Sequence, residues 1–303
     1  MELLGRYKNG NVITTIYSDG TKERFTYDNE FHPAFAENMD IKICNRCDRG
    51  CPWCHEGSTP DGKLGDIMNE KFIDTLHSYQ EVALGGGNVL EHPDLIPFLY
   101  KLKNKRVVPN ITLNQKHFED SIDLVDDLIS KKLIYGLGIS LENPTTEFIE
   151  KVKRFPNAVI HGINGVVDPV QMERMYNQNL KILILGYKYL RRGSTWMEKE
   201  HAAIAANQWW LYEHLPNLIN KFDVVSFDNL AIEQLAIKER WSEFSDKPWE
   251  EFYAGKDGGF TYYIDMVERK FAKSSTALLN ERYTLLDSVD DMFNFIKDRD
   301  ENL

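Results

Sequence analysis

All four cysteines of this 303-residue chain lie in the eleven positions from Cys44 to Cys54. Two, three and two residues separate them, so the thiols can converge on one centre from a single loop. Cysteines that only fill a hydrophobic core would be scattered among strands and helices. Residues 39–43, immediately before the loop, form a short strand-like run. The sequence therefore predicts a metal site at the C-terminal end of a strand.

The spacing also bears on which metal the loop binds. Zinc ribbons pair two cysteine knuckles that are separated by roughly a dozen or more residues, whereas only three residues lie between Cys47 and Cys51. Zinc on all four thiolates would be cramped, although the residues do not exclude it. Four cysteines are also the ligand set of an ordinary electron-transfer iron–sulfur cluster. A non-enzymatic four-cysteine metal-binding or redox module is therefore one hypothesis.

The inner three cysteines, Cys47-x3-Cys51-x2-Cys54, with the aromatic Trp53 just before the last, resemble the fingerprint of the radical S-adenosylmethionine (radical SAM) enzyme superfamily. The resemblance implies that these thiolates bind a 4Fe-4S cluster whose fourth iron stays open to S-adenosylmethionine. One electron from the cluster would cleave S-adenosylmethionine to a 5′-deoxyadenosyl radical, which abstracts a hydrogen atom from a substrate. Cys44 is then either a fourth ligand that closes the cluster or a structural thiol. The motif assigns no subfamily.

Strand-like and helix-like segments alternate along the middle of the chain. The six predicted strands are residues 39–43, 81–84, 110–114, 136–141, 158–162 and 181–186. Strands that alternate with helices predict a parallel sheet in an α/β fold. Six such units match the partial (βα)6 TIM-like barrel that the resemblance implies. Between the first two strands, a helix is expected from a cap at Asn69 to about Tyr79.

The length of the chain favours one main domain, to which we expect two additions. Residues 12–17 and 21–27 flank Ser18-Asp19-Gly20, a turn signal that predicts an N-terminal β-hairpin cap spanning residues 1–38. Residues 39–195 are the predicted radical SAM core barrel. Residues 196–303 are the predicted C-terminal α+β extension, in which the β-like tract 258–275 is expected to cover the open side of the barrel.

The second predicted strand ends in Gly85-Gly86-Gly87-Asn88, which resembles the Gly-Gly-Glu-like motif of radical SAM enzymes. In that family the motif's backbone holds the methionyl amine of S-adenosylmethionine, and glycine permits the close approach. No glutamate stands in the third place here, so the Asn88 side chain or a backbone carbonyl would have to serve. By family position, Ser140 and Glu142 resemble contacts to the ribose and amino-acid part. The resemblance implies cofactor contacts at Trp53, Gly85, Gly86, Gly87, Asn88, Ser140 and Glu142, and metal ligands at Cys47, Cys51 and Cys54.

Further polar residues stand near the predicted strand ends, where barrel enzymes place their chemistry. Asn114, His161 and Asn164 are candidates of this kind, and His55 is a candidate substrate or proton contact. Each is equally explained as a capping, loop or surface residue. The cations of segment 187–193 could bind a carboxylate or phosphate, or could begin a solvated helix. The sequence assigns no residue that acts on the substrate.

Composition limits the partners and the compartment. The chain has 36 basic and 47 acidic residues and a formal net charge of −11, which argues against a broad nucleic-acid surface. No apolar run approaches about 18 residues, so no membrane span is predicted. Cysteines this crowded suit a reducing, cytoplasmic compartment. The resemblance implies an external one-electron reductant such as flavodoxin or ferredoxin, and a substrate that is a small molecule, a peptide or a nucleotide.

Cysteine variants separate an open cluster from a closed one. Replacing Cys47, Cys51 or Cys54 with Ala should abolish cluster assembly, because three thiolates are the minimum that anchors three irons. Cys44→Ala should retain the cluster, as measured by iron and sulfide content after anaerobic reconstitution. Loss of iron from Cys44→Ala as complete as that from Cys51→Ala would mean that the cluster has four cysteine ligands.

Overall fold

The computed structural model describes residues 2–253 and 255–300. Residue 1 and residues 301–303, at the outer ends of the predicted cap and extension, lie outside this part, as does residue 254. The strands are β1 Leu3–Asn9, β2 Val12–Tyr17, β3 Lys22–Phe25, β4 Asn38–Cys44, β5 Glu81–Gly86, β6 Val108–Asn114, β7 Gly136–Ser140, β8 Ala158–Ile163, β9 Lys181–Leu185, β10 Val224–Phe227, β11 Thr261–Asp265, β12 Lys270–Ala272 and β13 Tyr283–Thr284.

Ten of these strands form one sheet in the order β10-β9-β8-β7-β6-β5-β4-β11-β12-β13. Strands β4 to β10 run parallel to one another, and β11 adds to the sheet parallel to β4. Their alternate residues Val82, Leu84, Ile139, Ile160 and Ile182 are buried in the hydrophobic core. A parallel sheet needs such a covered face, because its connections place helices over it.

The helices that cover the sheet follow the strands in chain order. They are α1 Leu95–Asn104, α2 Gln115–Asp120, α3 Ile122–Ser130, α4 Thr146–Lys153, α5 Pro169–Arg174, α6 Arg192–Leu218, α7 Asn229–Gln234, α8 Trp249–Phe252 and α9 Val289–Asp300. Helix α1 shows why they pack inward, since Leu95, Phe98, Leu99 and Leu102 fall on one face and are buried. Within residues 2–253 and 255–300, no helix is long and apolar enough to cross a membrane.

Strands β1, β2 and β3 form a separate antiparallel sheet. The predicted hairpin of β2 and β3 is confirmed, and β1 adds a third strand that the sequence analysis missed. This sheet lies where the parallel strands begin, because Asn157, just before β8, donates to the carbonyl of Ser18 at 2.6 Å. An ion pair also joins Lys22 to Glu81, the first residue of β5. The N-terminal sheet therefore lies at the edge opposite the cysteines.

The mixed α/β class with a large parallel sheet is confirmed, and each of the six predicted strands is present. The sheet continues through β10 and β11, on the far side of the predicted domain boundary at residue 195. The predicted C-terminal hairpin is also present, as the antiparallel pair β11 and β12, and it extends the edge of the sheet. Closure into a partial TIM-like barrel and the division into a cap, a core and an extension stay predictions.

The helix predicted from Asn69 to Tyr79 is wrong. The structure has only a short 3-10 segment, Lys71–Thr75, in this place. Asp66 accepts hydrogen bonds from the backbone of Met68 and Asn69 and from the Asn69 side chain, at 3.0–3.1 Å. Because an Asp side chain holds the backbone in a turn there, Asn69 does not begin a helix.

Candidate functional site

A cavity of about 970 Å³ lies against the uncovered face of the parallel sheet. Alternate residues of β4 to β11 line it, and several of them are small: Ala83, Gly85, Gly136, Gly138 and Ser140. At Gly85 the space exists because the residue carries no side chain, since a Cβ there would meet nothing within 4 Å. Ligand pockets usually measure about 300–1,000 Å³. The cavity is therefore at the upper end of the range for a bound ligand.

Cys47, Cys51 and Cys54 line this cavity and are free, partly buried thiols. Burial raises the pKa of Cys51 to about 11, and the charges of Glu142 and the other two thiols add to the shift. Cys44 differs from them, because it is fully buried in the hydrophobic core and does not line the cavity. The pairing of β4 with β5 shifts register between Lys42 and Cys44. This irregularity breaks the alternation that would otherwise turn Cys44 to the face of Asp40 and Lys42.

The cysteine loop, defined here as residues 45–58, is held at its first half by two pairs of side chains. The Nε2 atom of His117 lies 2.7 Å from a carboxylate oxygen of Asp48. Arg49 donates to Glu142 through Nε and Nη2, at 2.9–3.2 Å. The Cys47 thiol, the Asp48 carboxylate and the His117 ring lie within 4.8 Å of one another, so they are a further set of potential metal donors.

Glu142 lies beside the second cysteine of the motif. Its Oε1 atom is 4.0 Å from the sulfur of Cys51 and accepts a hydrogen bond from Asn114 at 2.8 Å. Burial raises the pKa of Glu142, but hydrogen bonds from Arg49 and Asn114 outweigh burial and hold the pKa below its usual value. The predicted strand-end residues Asn114 and Glu142 are therefore in contact. The carboxylate of Glu142 is ionised, and Asn114 and Arg49 hold it in place with hydrogen bonds.

The glycine run at the end of β5 has two separate structural roles. Gly86 has a φ of +116°, and a Cβ there would collide with the carbonyl of Cys44. A Cβ on Gly87 would collide with the carbonyl of Arg46, and the backbone N–H of Gly87 donates to the Cys44 carbonyl at 2.9 Å. A Cβ on Gly85, in contrast, would meet nothing within 4 Å and would enter the cavity. Gly86 and Gly87 therefore allow the end of β5 to pack closely against the backbone of residues 44 and 46. Gly85 leaves space in the cavity.

The other predicted cofactor contacts are divided between the cavity and its surroundings. Ser140 and Trp53 line the cavity, and the ring of Trp53 packs on Trp196 with 5.2 Å between centroids. The Asn88 side chain instead accepts from the backbone of Leu90 at 3.3 Å and donates to Glu91 at 3.2 Å. Asn88 is thus a capping residue outside the cavity lining.

His161 also faces the cavity, at the predicted strand end of β8. Burial and the nearby charge of Lys188 lower the pKa of His161 to about 4, so the ring is neutral at neutral pH. Asp40 points into the same cavity, and desolvation raises its pKa. Asn164 is buried outside the lining and donates to Gln234 at 3.1 Å. Of these strand-end candidates, His161 is therefore available to a ligand and Asn164 is not.

The cations of segment 187–193 bind the protein itself. Lys188 donates to the Ser275 hydroxyl at 2.8 Å. Arg191 pairs with Glu56, and Arg192 donates to the backbone carbonyls of Cys51 and Ser58 at 3.0 Å and 2.8 Å. Arg191 and Arg192 thus hold the second half of the cysteine loop, whereas Lys188 lines the cavity.

A buried ion network, which the sequence analysis missed, joins the loop to the sheet. Lys42, with 2% of its side chain exposed, lies 2.7 Å from Glu56 and 3.3 Å from Asp265. Arg282 donates to Asp265 at 2.9 Å. Burial raises the pKa of Glu56, but His55 and Lys42 outweigh it and hold the pKa well below the usual value. The sequence shows Lys42 as a charged residue between the apolar residues Ile41 and Ile43, but its partner Asp265 is far away in the sequence.

Comparisons with known proteins support the fold. No protein-family model and no curated protein matches the sequence. Among solved structures, the fold is similar to that of Streptococcus suis SuiB bound to S-adenosylmethionine, with a TM-score of 0.54, 12% identity, and coverage of 86% of this chain and 64% of SuiB. SuiB bound to precursor peptide SuiA gives a TM-score of 0.56, 12% identity, and coverage of 86% and 65%. The chain spans slightly less than two thirds of SuiB.

Removing the buried cation should destabilise the protein strongly. Lys42→Met leaves Glu56 and Asp265 buried without their shared partner, which should lower the free energy of unfolding by about 3–5 kcal/mol. Lys71→Met is the matched control, because Lys71 and its partner Asp287 are each 73% exposed and should contribute little. The measurement is urea-induced unfolding of the apoprotein. Equal stability of the two variants would contradict the structural role of Lys42.

Proposed function

We propose that the protein is a radical SAM enzyme, which cleaves S-adenosylmethionine reductively at a 4Fe-4S cluster. One observation carries the proposal, namely that Cys47, Cys51 and Cys54 line a ligand-sized cavity while Cys44 is packed in the core. The similarity of the fold to a protein that binds S-adenosylmethionine supports it. The alternative, a closed module with four cysteine ligands, would require Cys44 to leave the core.

The residues present fit such a cluster. Three free thiols face one cavity, and thiolates are the ligands that iron–sulfur clusters take. Cys47, Cys51 and Cys54 would hold the cluster, and the edge that includes Gly85 and Ser140 would receive S-adenosylmethionine. When bound, the cluster supplies the electron that splits the sulfonium into methionine and a 5′-deoxyadenosyl radical, which abstracts hydrogen from the substrate.

The chain's own residues orient the reactants. Arg49 and Asn114 fix Glu142 beside Cys51. The neutral His161 and Asp40 line the cavity, where they would contact the substrate through hydrogen bonds. Bound S-adenosylmethionine and substrate would have to exclude water from the reacting atoms. The electron would come from an external carrier such as flavodoxin or ferredoxin, and the proposed compartment is the cytoplasm.

The substrate class is open among a peptide, a small molecule and a nucleotide. A solved SuiB structure contains a precursor peptide, and this supports a peptide as a candidate here. The proposed C-terminal extension would select the substrate, because Lys273, Ser274, Ser275 and Thr276, which follow β12, line the cavity.

The glycine run provides a test of where S-adenosylmethionine binds. Gly85→Val places a side chain in the cavity, where it should collide with bound S-adenosylmethionine. This overpacking should weaken the binding free energy of S-adenosylmethionine by about 1–3 kcal/mol, while the cluster absorption is retained. Gly86→Val is the contrasting variant. It forces a side chain against the Cys44 carbonyl and should disturb the cluster as well. Calorimetry gives the affinity, and unchanged binding by Gly85→Val would contradict the placement.

The activity is tested directly by product release. Anaerobic, reconstituted protein with a strong reductant and S-adenosylmethionine should release 5′-deoxyadenosine and methionine, slowly in the absence of substrate because uncoupled cleavage is usual in the family. Cys51→Ala is the control, and chromatography detects the products. A reducible cluster that neither cleaves nor binds S-adenosylmethionine would overturn the proposal in favour of the closed redox module.

A further inference from the structure

We infer that Arg192, the first residue of α6, is a positioning residue for the second half of the cysteine loop, residues 51–58. The contacts of Arg192 with the loop are observed in the apoprotein. That Arg192 thereby positions ligands of a cluster rests on the proposed function. The sequence marks Arg192 only as one of the cations of segment 187–193, because its partners in the cysteine loop lie more than 130 positions earlier in the chain.

The guanidinium of Arg192 spans the loop segment from end to end. Its Nε atom donates to the carbonyl of Cys51 at 3.0 Å, and its Nη1 atom donates to the carbonyl of Ser58 at 2.8 Å. Hydrogen bonds from a charged donor are stronger than neutral ones. The fork is rigid and planar, so it fixes the separation and the orientation of the two carbonyls together. Cys54 lies between these two anchor points.

Neighbouring contacts hold Arg192 in place. Arg191 has a φ of 50° and a ψ of −123°, a conformation that non-glycine residues rarely adopt. Its side chain pairs with Glu56 of the loop, so two consecutive guanidinium groups face the same segment. The Tyr187 hydroxyl donates to the carbonyl of Gly193 at 2.7 Å. The strained turn is therefore supported on both sides and presents both arginines to the loop.

The first half of the loop has independent anchors. Asp48 contacts His117, and Arg49 contacts Glu142, and neither pair includes α6. Loss of Arg192 should therefore loosen the backbone at Cys51 and Ser58 without releasing Cys47, while Glu56 stays paired with Lys42. This asymmetry distinguishes positioning of two thiols from a general loss of stability, which would expose all of the cysteines, including the buried Cys44.

Alkylation of the individual thiols tests the inference in the apoprotein. Iodoacetamide labelling under anaerobic conditions, followed by peptide mass spectrometry, gives a rate for each cysteine. In Arg192→Gln, the rates of Cys51 and Cys54 should rise roughly tenfold or more, because two hydrogen bonds from a charged donor are lost. The rates of Cys47 and Cys44 should not change. Arg192→Lys, which keeps the charge but has a single donor atom that cannot span both carbonyls, should give intermediate rates.

Arg154→Gln is the control, because Arg154 is an exposed arginine at the end of α4 and should leave all rates unchanged. Equal acceleration of all four cysteines in both Arg192 variants, or no acceleration of Cys51 and Cys54, would overturn the inference. A second readout is the electron paramagnetic resonance spectrum of reconstituted protein, which should differ between Arg192→Gln and wild type. If wild type forms no cluster, the proposed function fails, while the labelling still decides the role of Arg192.

Discussion

Lys42 lies inside the protein between the carboxylates of Glu56 and Asp265. A buried charge without partners is very costly, so this ammonium is stable only where both carboxylates are held against it. The three residues come from β4, the cysteine loop and β11, and Arg282 completes the network at Asp265. The loop is therefore attached to the sheet by electrostatics in a place where water does not compete. Cys54 is two residues before Glu56, so the ion pair of Glu56 with Lys42 also limits where Cys54 can lie.

The cavity depends on a different constraint, which is the size of the side chains on one face of the sheet. Ala83 and Gly85 carry almost no side chain on this face, and a Cβ on Gly85 would meet nothing within 4 Å. At Gly138, in contrast, the ring of His161 occupies the space that a side chain would take. The opposite face carries large apolar residues that pack on helices. The same strands thus build a core on one side and a binding space on the other. The N-terminal sheet lies at the far end, so the cysteines and the glycine run are together at the end where the strands finish.

The sequence was sufficient for the features that local patterns control. The six strands were predicted because each is a short strand-like run of neighbouring residues, and the cysteine motif was visible from its spacing alone. Features that depend on distant partners were missed or wrong. The side chain of Asp66 holds the backbone at Asn69 in a turn, where a helix had been predicted. A register shift after Lys42 turns the side chain of Cys44 away from the cavity. The partners of Lys42 and Arg192 come from other parts of the chain, so no local pattern could reveal them.

Under the proposed function, Cys47, Cys51 and Cys54 hold a cluster with one iron open to S-adenosylmethionine, and Cys44 is not a ligand. Electron paramagnetic resonance of the reduced, reconstituted Cys44→Ala protein, recorded with and without S-adenosylmethionine, separates this arrangement from a closed four-cysteine cluster. The expected result is a reduced cluster whose spectrum changes when S-adenosylmethionine is added, because the molecule then binds the open iron. A cluster that is lost with Cys44, or a spectrum that S-adenosylmethionine leaves unchanged, would mean that no iron is open to it.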